Sequence, residues 1–415
     1  MRVLIVTSGS MGDIAPYTGL GSGLREAGHE VTVAAHESFR ASFAGVGLAF
    51  QPLPGDMRRI LPQAHGQDGR GSGTGPRALA QLLRIARPII EELGAGIVDA
   101  VEQTRPEAIL LSTVVAPLGY QVAEAAGVPW AGVFLQPVSP TGDFGSVLLG
   151  GRSVGRWGNR AITATASRIT ETLYAGPVHD LRARLGLPRQ SISTLRSRQD
   201  GPGHPTFHGF SSAVVPRPTD WPARLAVVGY WWPARPAGWE PPAALADFLK
   251  AGPPPVFIGF GSMAPDQGER LSAPILAAVQ ATGLRAVVQA GWAGLDLGAG
   301  DDILSIGPVP HDWLFPRTAA VVHHSGAGTS AAGLRAGVPA IPVPVLADQP
   351  FWARRLHRLG AATPPIPLSK LTPDNLARAL TEATTNPHLA ARAAAVSAQL
   401  DRDDSTARIL TWLSP

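Results

Sequence analysis

The sequence predicts an α/β protein of two Rossmann-like α/β/α domains facing each other across a cleft. Three observations lead there. Residues 2–35 run strand, glycine turn, helix, strand, which is the order of a right-handed βαβ unit. Residues 320–349 run the same way. An apolar strand entering Gly-Ser-Met occurs at 9–11 and again at 261–263, a faint internal echo. With 415 residues the chain can build two or three separate cores.

The elements follow in order. RVLIVT (2–7) is a β-branched apolar run suited to a strand buried on both faces. Its turn, Gly9-Ser10-Met11-Gly12, lacks the G-x-G-x-x-G spacing of dinucleotide enzymes, so a nicotinamide role is poorly supported. A helix is expected from Tyr17 to Ala27, closed by Gly28, and VTVAA (31–35) resumes the strand pattern. Residues 54–76, rich in Gly, Pro and polar groups, have no period and read as a loop in which His65 is solvated. A helix (77–104), a strand (107–112), a helix to Ala126 and a strand (129–134) come next. The Gly-rich stretch 137–155 then leaves a strand's carboxyl end, where loops carry binding residues. Residues 156–186 read as helix, and 206–218 as the last strands of a first domain, 1–218. Residues 219–244 are Pro- and Trp-rich and aperiodic, as an interdomain connection would be, with Trp231 and Trp232 packing the hinge. The second domain (245–390) restarts at PPPVFIGFGSM (253–263), with strands at 286–291 and 303–307 and helices at 373–383 and 387–412. Asp401, Asp403 and Asp404 look like a carboxylate cluster but read as a solvated face of the last helix.

Composition removes several function classes. Hydrophobic residues are 45% and charged residues 16%, the balance of an ordinary soluble enzyme. No apolar run is long enough to span a bilayer, and the chain opens on a strand where a signal sequence would place a charged then apolar segment. The absence of Cys excludes disulfides, thiolate metal sites and a Cys nucleophile, and suits a reducing cytoplasm. The net charge of +4 comes from scattered arginines with no dense basic stripe, so a nucleic-acid partner is not expected.

The stretch AVVHHSGAGTSAAGLRAGVPAIPVPVLADQ (320–349) organises the rest. A strand that ends in a Gly-rich turn and restarts as a helix presents unpaired N–H groups and a positive dipole end, which can hold a diphosphate without lysine. Gly326 and Gly328 allow close approach, Ala327 lies between them, and the Thr329 and Ser330 hydroxyls can complete the cradle. The alternative is a helix start that needs small residues only for packing. G-x-x-x-x-G-K-[ST] is absent, which argues against ATP or GTP hydrolysis. His323 and His324 point to opposite faces of a strand end and cannot share a metal ion. Ser262, at the second Gly-Ser-Met, can reach a phosphate oxygen, and Trp292 follows a strand end where it can touch the nucleotide. Asp13, at the mouth of the first turn, reads either as a helix N-cap or as a general base facing the crevice.

Together GSMGDIAP, VVPRPTDWP, VVGYWW, PPPVFIGFGSM, VPHDWLFPR, H-x-G-A-G-T, R-A-G-V-P and the final D-Q resemble the inverting, nucleotide-sugar-dependent glycosyltransferases of the GT-B fold. Sterol 3-beta-glucosyltransferases and bacterial enzymes of the vancomycin group are the nearest in pattern. The resemblance implies that Asp13, in G-S-x-G-D-x-x-P, is the catalytic base, with Gly12 beside it on the donor side. It implies that main chain near Val309 holds the base of the nucleotide, and that the C-terminal segment (391–415) returns to the first domain. His324 with the Gly328 and Thr329 amides would stabilise the leaving diphosphate in place of a metal, so neither metal nor cofactor is expected. Asp348 and Gln349 would orient the sugar by accepting and donating hydrogen bonds. One base with no nucleophile implies single displacement and inversion. The implied donor is UDP-glucose, or else a dTDP-sugar such as a deoxysugar, and the acceptor is a lipophilic natural product or sterol-like alcohol. Readings from other classes are a UDP-sugar epimerase and a non-catalytic sugar-nucleotide-binding partner protein.

Overall fold

A computed structural model describes residues 1–55, 76–201, 203–261, 267–291, 294–297 and 300–414. His65 and most of the loop 54–76, Ser262 and Trp292 fall outside the described residues.

Two all-parallel sheets carry the fold. The first has seven strands in the order β3-β2-β1-β4-β5-β6-β7: β1 (Arg2–Val6), β2 (Glu30–His36), β3 (Ala49–Leu53), β4 (Ala108–Leu111), β5 (Trp130–Phe134), β6 (Thr206–His208) and β7 (Leu225–Val227). The second has five, β10-β9-β8-β11-β12: β8 (Val256–Gly259), β9 (Ala286–Gln289), β10 (Ile303–Ile306), β11 (Ala320–His323) and β12 (Ala340–Pro342). Strand side chains alternate between faces, and the cores follow that alternation. Val3 and Ile5 pack in one layer, Leu4 and Val6 in the layer behind. In the second sheet Phe257 and Val321 face one core, Ile258 and Val322 the other. Continuous apolar runs are thus accounted for by sheets covered on both faces.

The strand orders locate the crevices. In the first sheet the chain reverses its direction of winding between β1 and β4, and in the second between β8 and β11. Ligands of open α/β sheets bind outside the carboxyl ends of strands at such switch points. Asp13 follows β1 and the His323–Thr329 turn follows β11, so both sequence-selected segments lie where the topology leaves room.

Three departures from the sequence reading have local causes. The first helix runs Met11–Glu26, six residues earlier than expected, and holds Pro16 inside it. Glycine, serine and proline in its first two turns disguise it as a loop; Ser10 caps it, and Pro16 removes one hydrogen bond in the second turn. The strand β7 lies within 219–244, the stretch read as connection, because three residues between prolines and charges give no alternation to read. The segment 387–412 is two helices, Pro387–Leu400 and Ala407–Leu413. Only the second inserts in the first domain's core, through Ile409 and Leu413, while Ser397 of the other bonds Arg335 O at 2.6 Å. The three aspartates sit in the break between those helices: Asp404 Oδ1 accepts from Ala407 N at 3.0 Å, fixing the start of the last helix.

The connection straps across the first helix. Trp231 is buried against Tyr17 with ring centroids 6.0 Å apart, and its Nε1 donates to Ser405 O at 3.1 Å. Ala234 N donates to Thr18 Oγ1 at 3.0 Å. A Cβ on Gly19 would stand 1.8 Å from the Trp232 carbonyl oxygen. Ala is a better helix former than Gly by about 1 kcal/mol, but a main-chain carbonyl cannot turn aside as a side chain can. Gly19→Ala is therefore expected to destabilise by about 1–3 kcal/mol, read as a lower denaturation midpoint in urea.

Candidate active site between the two sheets

The turn after β11 is built to leave main-chain donors free. His323, fully buried at the strand end, accepts the Ser325 N–H on Nδ1 at 3.0 Å. Burial pushes its pKa down to about 3, so the ring is neutral, and its Nε2 has no partner. That bond holds Ser325 at φ 64, a left-handed conformation rare for a residue with a side chain. Gly326 is the N-cap of the helix Ala327–Ala336, whose first turn holds no acidic residue and whose cap has no side-chain acceptor. Its leading N–H groups are therefore uncompensated, at the positive end of the helix dipole.

His324 folds back over this turn. Its Nε2 lies 2.5 Å from where a Cβ on Gly326 would stand, and its Cε1 3.2 Å from the same point on Gly261. Only glycine leaves the ring its place. Burial first, then the neighbouring His311, push the His324 pKa down to about 4. At neutral pH the ring is an uncharged donor, and its buried Nδ1 has no protein partner.

Asp13 reaches the crevice from the other sheet. It occupies the third position of its helix, so the N-cap alternative belongs to Ser10. Ser10 N and Ser10 Oγ both donate to Asp13 Oδ2 at 2.9 Å, closing the reverse leg of a capping box. Oδ1 receives only a long bond of 3.4 Å from Gln136 Nε2. One carboxylate oxygen is thus held by the fold and the other is left for a ligand. Burial raises the Asp13 pKa above the ordinary carboxylate value, against the lowering by Ser10 and Gln136. Sequence reading missed Gln136; its only signal is a polar residue just past the carboxyl end of β5. Pro16, the last residue of G-S-x-G-D-x-x-P, has no N–H and cannot donate to the Gly12 carbonyl. That carbonyl oxygen is 3.8 Å from a Cβ position on Gly328, so the two helix starts meet across the crevice.

Asp348 and Gln349 begin the helix Gln349–Arg358 on the second side. Asp348 Oδ2 accepts from Trp352 Nε1 at 2.9 Å. Its pKa rises to about 6, chiefly through burial and then through the negative charge of Asp13. Gln349 is buried, and its Oε1 accepts from Val345 N at 2.8 Å and Leu346 N at 3.2 Å. Its NH₂ is left as a donor beside the Asp348 carboxylate as acceptor. The raised Asp348 pKa has a sign that can be checked. The fold disfavours the carboxylate relative to the unfolded chain, so this residue destabilises above pH 6, and the penalty fades as pH falls toward 4. Asp348→Asn is expected to stabilise the ligand-free protein by on the order of 1 kcal/mol above pH 6, with the gain shrinking at lower pH in urea denaturation.

Val309 is buried just before the short helix His311–Leu314, and its own N–H and C=O make no hydrogen bond among the described residues. The segment 137–155 is pinned, not loose: Thr141 Oγ1 and Gly142 N donate to Asp220 at 2.7 and 2.9 Å, and Asn159 Nδ2 donates to Gly142 O at 2.9 Å. Phe144 meets Phe351 of the second half with centroids 5.5 Å apart. Among the described residues no three His, Cys, Asp or Glu side chains gather as a metal site.

Comparison with known proteins agrees with this fold. Residues 3–140 match the glycosyltransferase family 28 N-terminal domain, and residues 294–411 match the erythromycin biosynthesis protein CIII-like C-terminal domain. The chain is 36% identical to the O-mycaminosyltylonolide 6-deoxyallosyltransferase of Streptomyces fradiae, over 99% of the chain and 97% of that protein. It is 32% identical to a sterol 3-beta-glucosyltransferase of Arabidopsis thaliana, over 90% of the chain but only 59% of that longer protein. Two solved structures share the fold along the whole chain. The glycotransferase of kitacinnamycin superposes with a TM-score of 0.72 at 19% identity, covering 100% of this chain and 99% of that one. The calicheamicin glycosyltransferase superposes with 0.70 at 15% identity and the same coverage.

Proposed function

The chain belongs to the GT-B glycosyltransferases related to sterol glucosyltransferases and to Streptomyces antibiotic glycosyltransferases, and on that premise we propose an inverting, metal-independent hexosyl transfer with Asp13 as base. One observation carries the reading. A buried carboxylate from the first sheet and an uncapped helix N-terminus from the second meet in one crevice, close enough for the Asp13 charge to act on Asp348. The acceptor oxygen attacks the anomeric carbon, the bond from that carbon to the diphosphate breaks, and the acceptor's proton passes to Asp13 Oδ1. Charge growing on the diphosphate is met by the Gly328 and Thr329 amides, the helix dipole and a neutral His324 donor. Asp348 and the Gln349 NH₂ hold sugar hydroxyls, and unpaired main chain at Val309 suits the edge of a nucleotide base. Domain 1–218 would hold the acceptor and 245–390 the donor.

UDP-glucose is the donor first favoured by the Asp-Gln pair. A dTDP-deoxysugar is the second reading, and one observation favours it: with Gln349 Oε1 committed to Val345 and Leu346, fewer groups remain to recognise a fully hydroxylated hexose. The S. fradiae relative, a 6-deoxyallosyltransferase by name, points the same way. Thermal shifts with UDP- and dTDP-sugars, followed by mass spectrometry of products from sterol and polyketide alcohols, decide between them. A loss of activity in EDTA would overturn the metal-free mechanism.

A further inference from the structure

The carboxylate oxygen assigned to the reaction, Asp13 Oδ1, has one protein partner among the described residues, and it comes from a distant strand. Gln136 lies two residues past the end of β5, between buried Leu135 and buried Pro137, and is itself half-buried. In the sheet β4 runs between β1 and β5, so the ends of those two strands stand about 10 Å apart. A side chain must reach over the end of β4 to close that distance. There β4 is followed by Ser112, small and buried, and glutamine has the length to pass it. Its Nε2 donates to Asp13 Oδ1 at 3.4 Å.

No cation offsets the Asp13 charge: among the described residues no Lys or Arg pairs with it. The titratable groups around it lend no positive charge either. Tyr17, on its own helix, donates its hydroxyl to Val133 O at 2.7 Å and stays protonated, held well above the ordinary tyrosine pKa by burial and then by Asp13. Asp348, from the second side, adds negative charge. His324 across the crevice is uncharged above about pH 4. Burial raises the Asp13 pKa, and hydrogen bonds from Ser10 and then from Gln136 pull it back. Both Ser10 bonds fall on Oδ2. On the oxygen that takes the proton, Gln136 acts alone.

We propose that Gln136 is a positioning residue for the base: its amide holds Asp13 Oδ1 toward the crevice and supports the ionised carboxylate until an acceptor hydroxyl arrives. The inference rests on the reading of Asp13 as base. An amide suits that task better than a cation. Arg or Lys beside Oδ1 would favour the charged form so strongly that the carboxylate would take up a proton poorly. A carboxylate oxygen has room for two hydrogen bonds, one for the amide and one for the acceptor's O–H. At 3.4 Å the amide bond is longer than usual, so it supports the charge without monopolising the oxygen.

Titration of the carboxyl group by NMR tests this without any acceptor. The ligand-free protein is labelled with carbon-13 at its aspartate carboxyls, and the Asp13 signal is the one missing from Asp13→Asn. In Gln136→Met, close in volume but without a donor, the Asp13 carboxyl is expected to titrate about 0.5–1 pH unit higher. In Gln136→Glu a second negative charge replaces the donor, so the pair should titrate in two steps, the later one raised by more than about 1 unit. The Gln136 side chain makes no other hydrogen bond among the described residues, so circular dichroism should be unchanged in both variants. In turnover, kcat/KM of Gln136→Met should fall about threefold to tenfold on the acid side and recover at higher pH, with nucleotide affinity unchanged. An Asp13 titration unmoved in both variants, or a loss of activity equal at every pH, would overturn the proposal. If Asp13→Asn then still abolished turnover, the base would stand and only the role of Gln136 would go. Full turnover in Asp13→Asn would instead remove the base itself, and the positioning role with it.

Discussion

Asp13→Asn is expected to lower turnover by about 10²–10⁴-fold while leaving nucleotide affinity unchanged, as the loss of a positioned general base does. The substitution isolates chemistry from folding. An asparagine oxygen can still accept from Ser10 N, the contact that now holds Oδ2 at 2.9 Å, so the helix start survives. What it loses is the ability of the second oxygen to take a proton. The pH profile supplies an independent check. A base must be ionised, so activity falls as pH drops through its pKa, which burial raises above the ordinary aspartate value. Burial raises the Asp348 pKa to about 6 in the same crevice, and its protonation would weaken the hold on the sugar proposed for it. The acid limb of kcat/KM is therefore composite, and it should simplify in Asp13→Asn to the part due to Asp348. Turnover measured by product formation beside nucleotide binding by titration separates the two parameters. Unchanged turnover would remove Asp13 from the mechanism.

Much of this crevice was legible because its requirements are local. A turn that bares N–H groups must contain small residues, and Gly326-Ala327-Gly328-Thr329 shows them in the sequence. Strands covered on both faces must be continuously apolar, and Val3–Val6 and Ala320–Val322 are. What stayed hidden depends on contacts between distant segments. Gln136 stands 123 residues from Asp13, and no spacing rule connects them. Gln349 was read as free to bind a sugar because an amide's occupancy cannot be seen until the loop at Val345 closes on it. The start of the first helix was obscured for a different reason: Ser10, Gly12 and Pro16 are each poor helix residues, yet each suits its place in the first turns. The same stretch brings the Gly12 carbonyl oxygen within 3.8 Å of a Cβ position on Gly328 in the second half. Local propensity failed where capping and a bound start to the helix set the residues.

Gly328→Ala should separate binding from stability in the opposite sense to most glycine substitutions. Nothing in the ligand-free protein stands in the way of the new methyl group: its nearest neighbour is Gly12 O, at 3.8 Å, an ordinary contact. Its φ is not in the left-handed range, and Ala favours a helix over Gly by up to about 1 kcal/mol. The variant is therefore expected to unfold at the same or a higher urea concentration. The methyl group, however, enters the space between the two helix starts, where a diphosphate must approach the Gly328 and Thr329 amides. Loss of one amide contact together with displacement of the phosphates should weaken nucleotide affinity by about 10–100-fold, since hydrogen bonds to charged groups are worth about 1.5–3 kcal/mol. Packing alone cannot give that pair of results, because a glycine needed for packing loses stability when it is replaced. Gly326 provides the contrast. A Cβ there would press on His324 Nε2 at 2.5 Å, so Gly326→Ala should lose both stability and affinity. If Gly328→Ala bound the nucleotide as the unmodified protein does, the phosphates would not rest on this helix. The glycine would then be there for the chain's own sake.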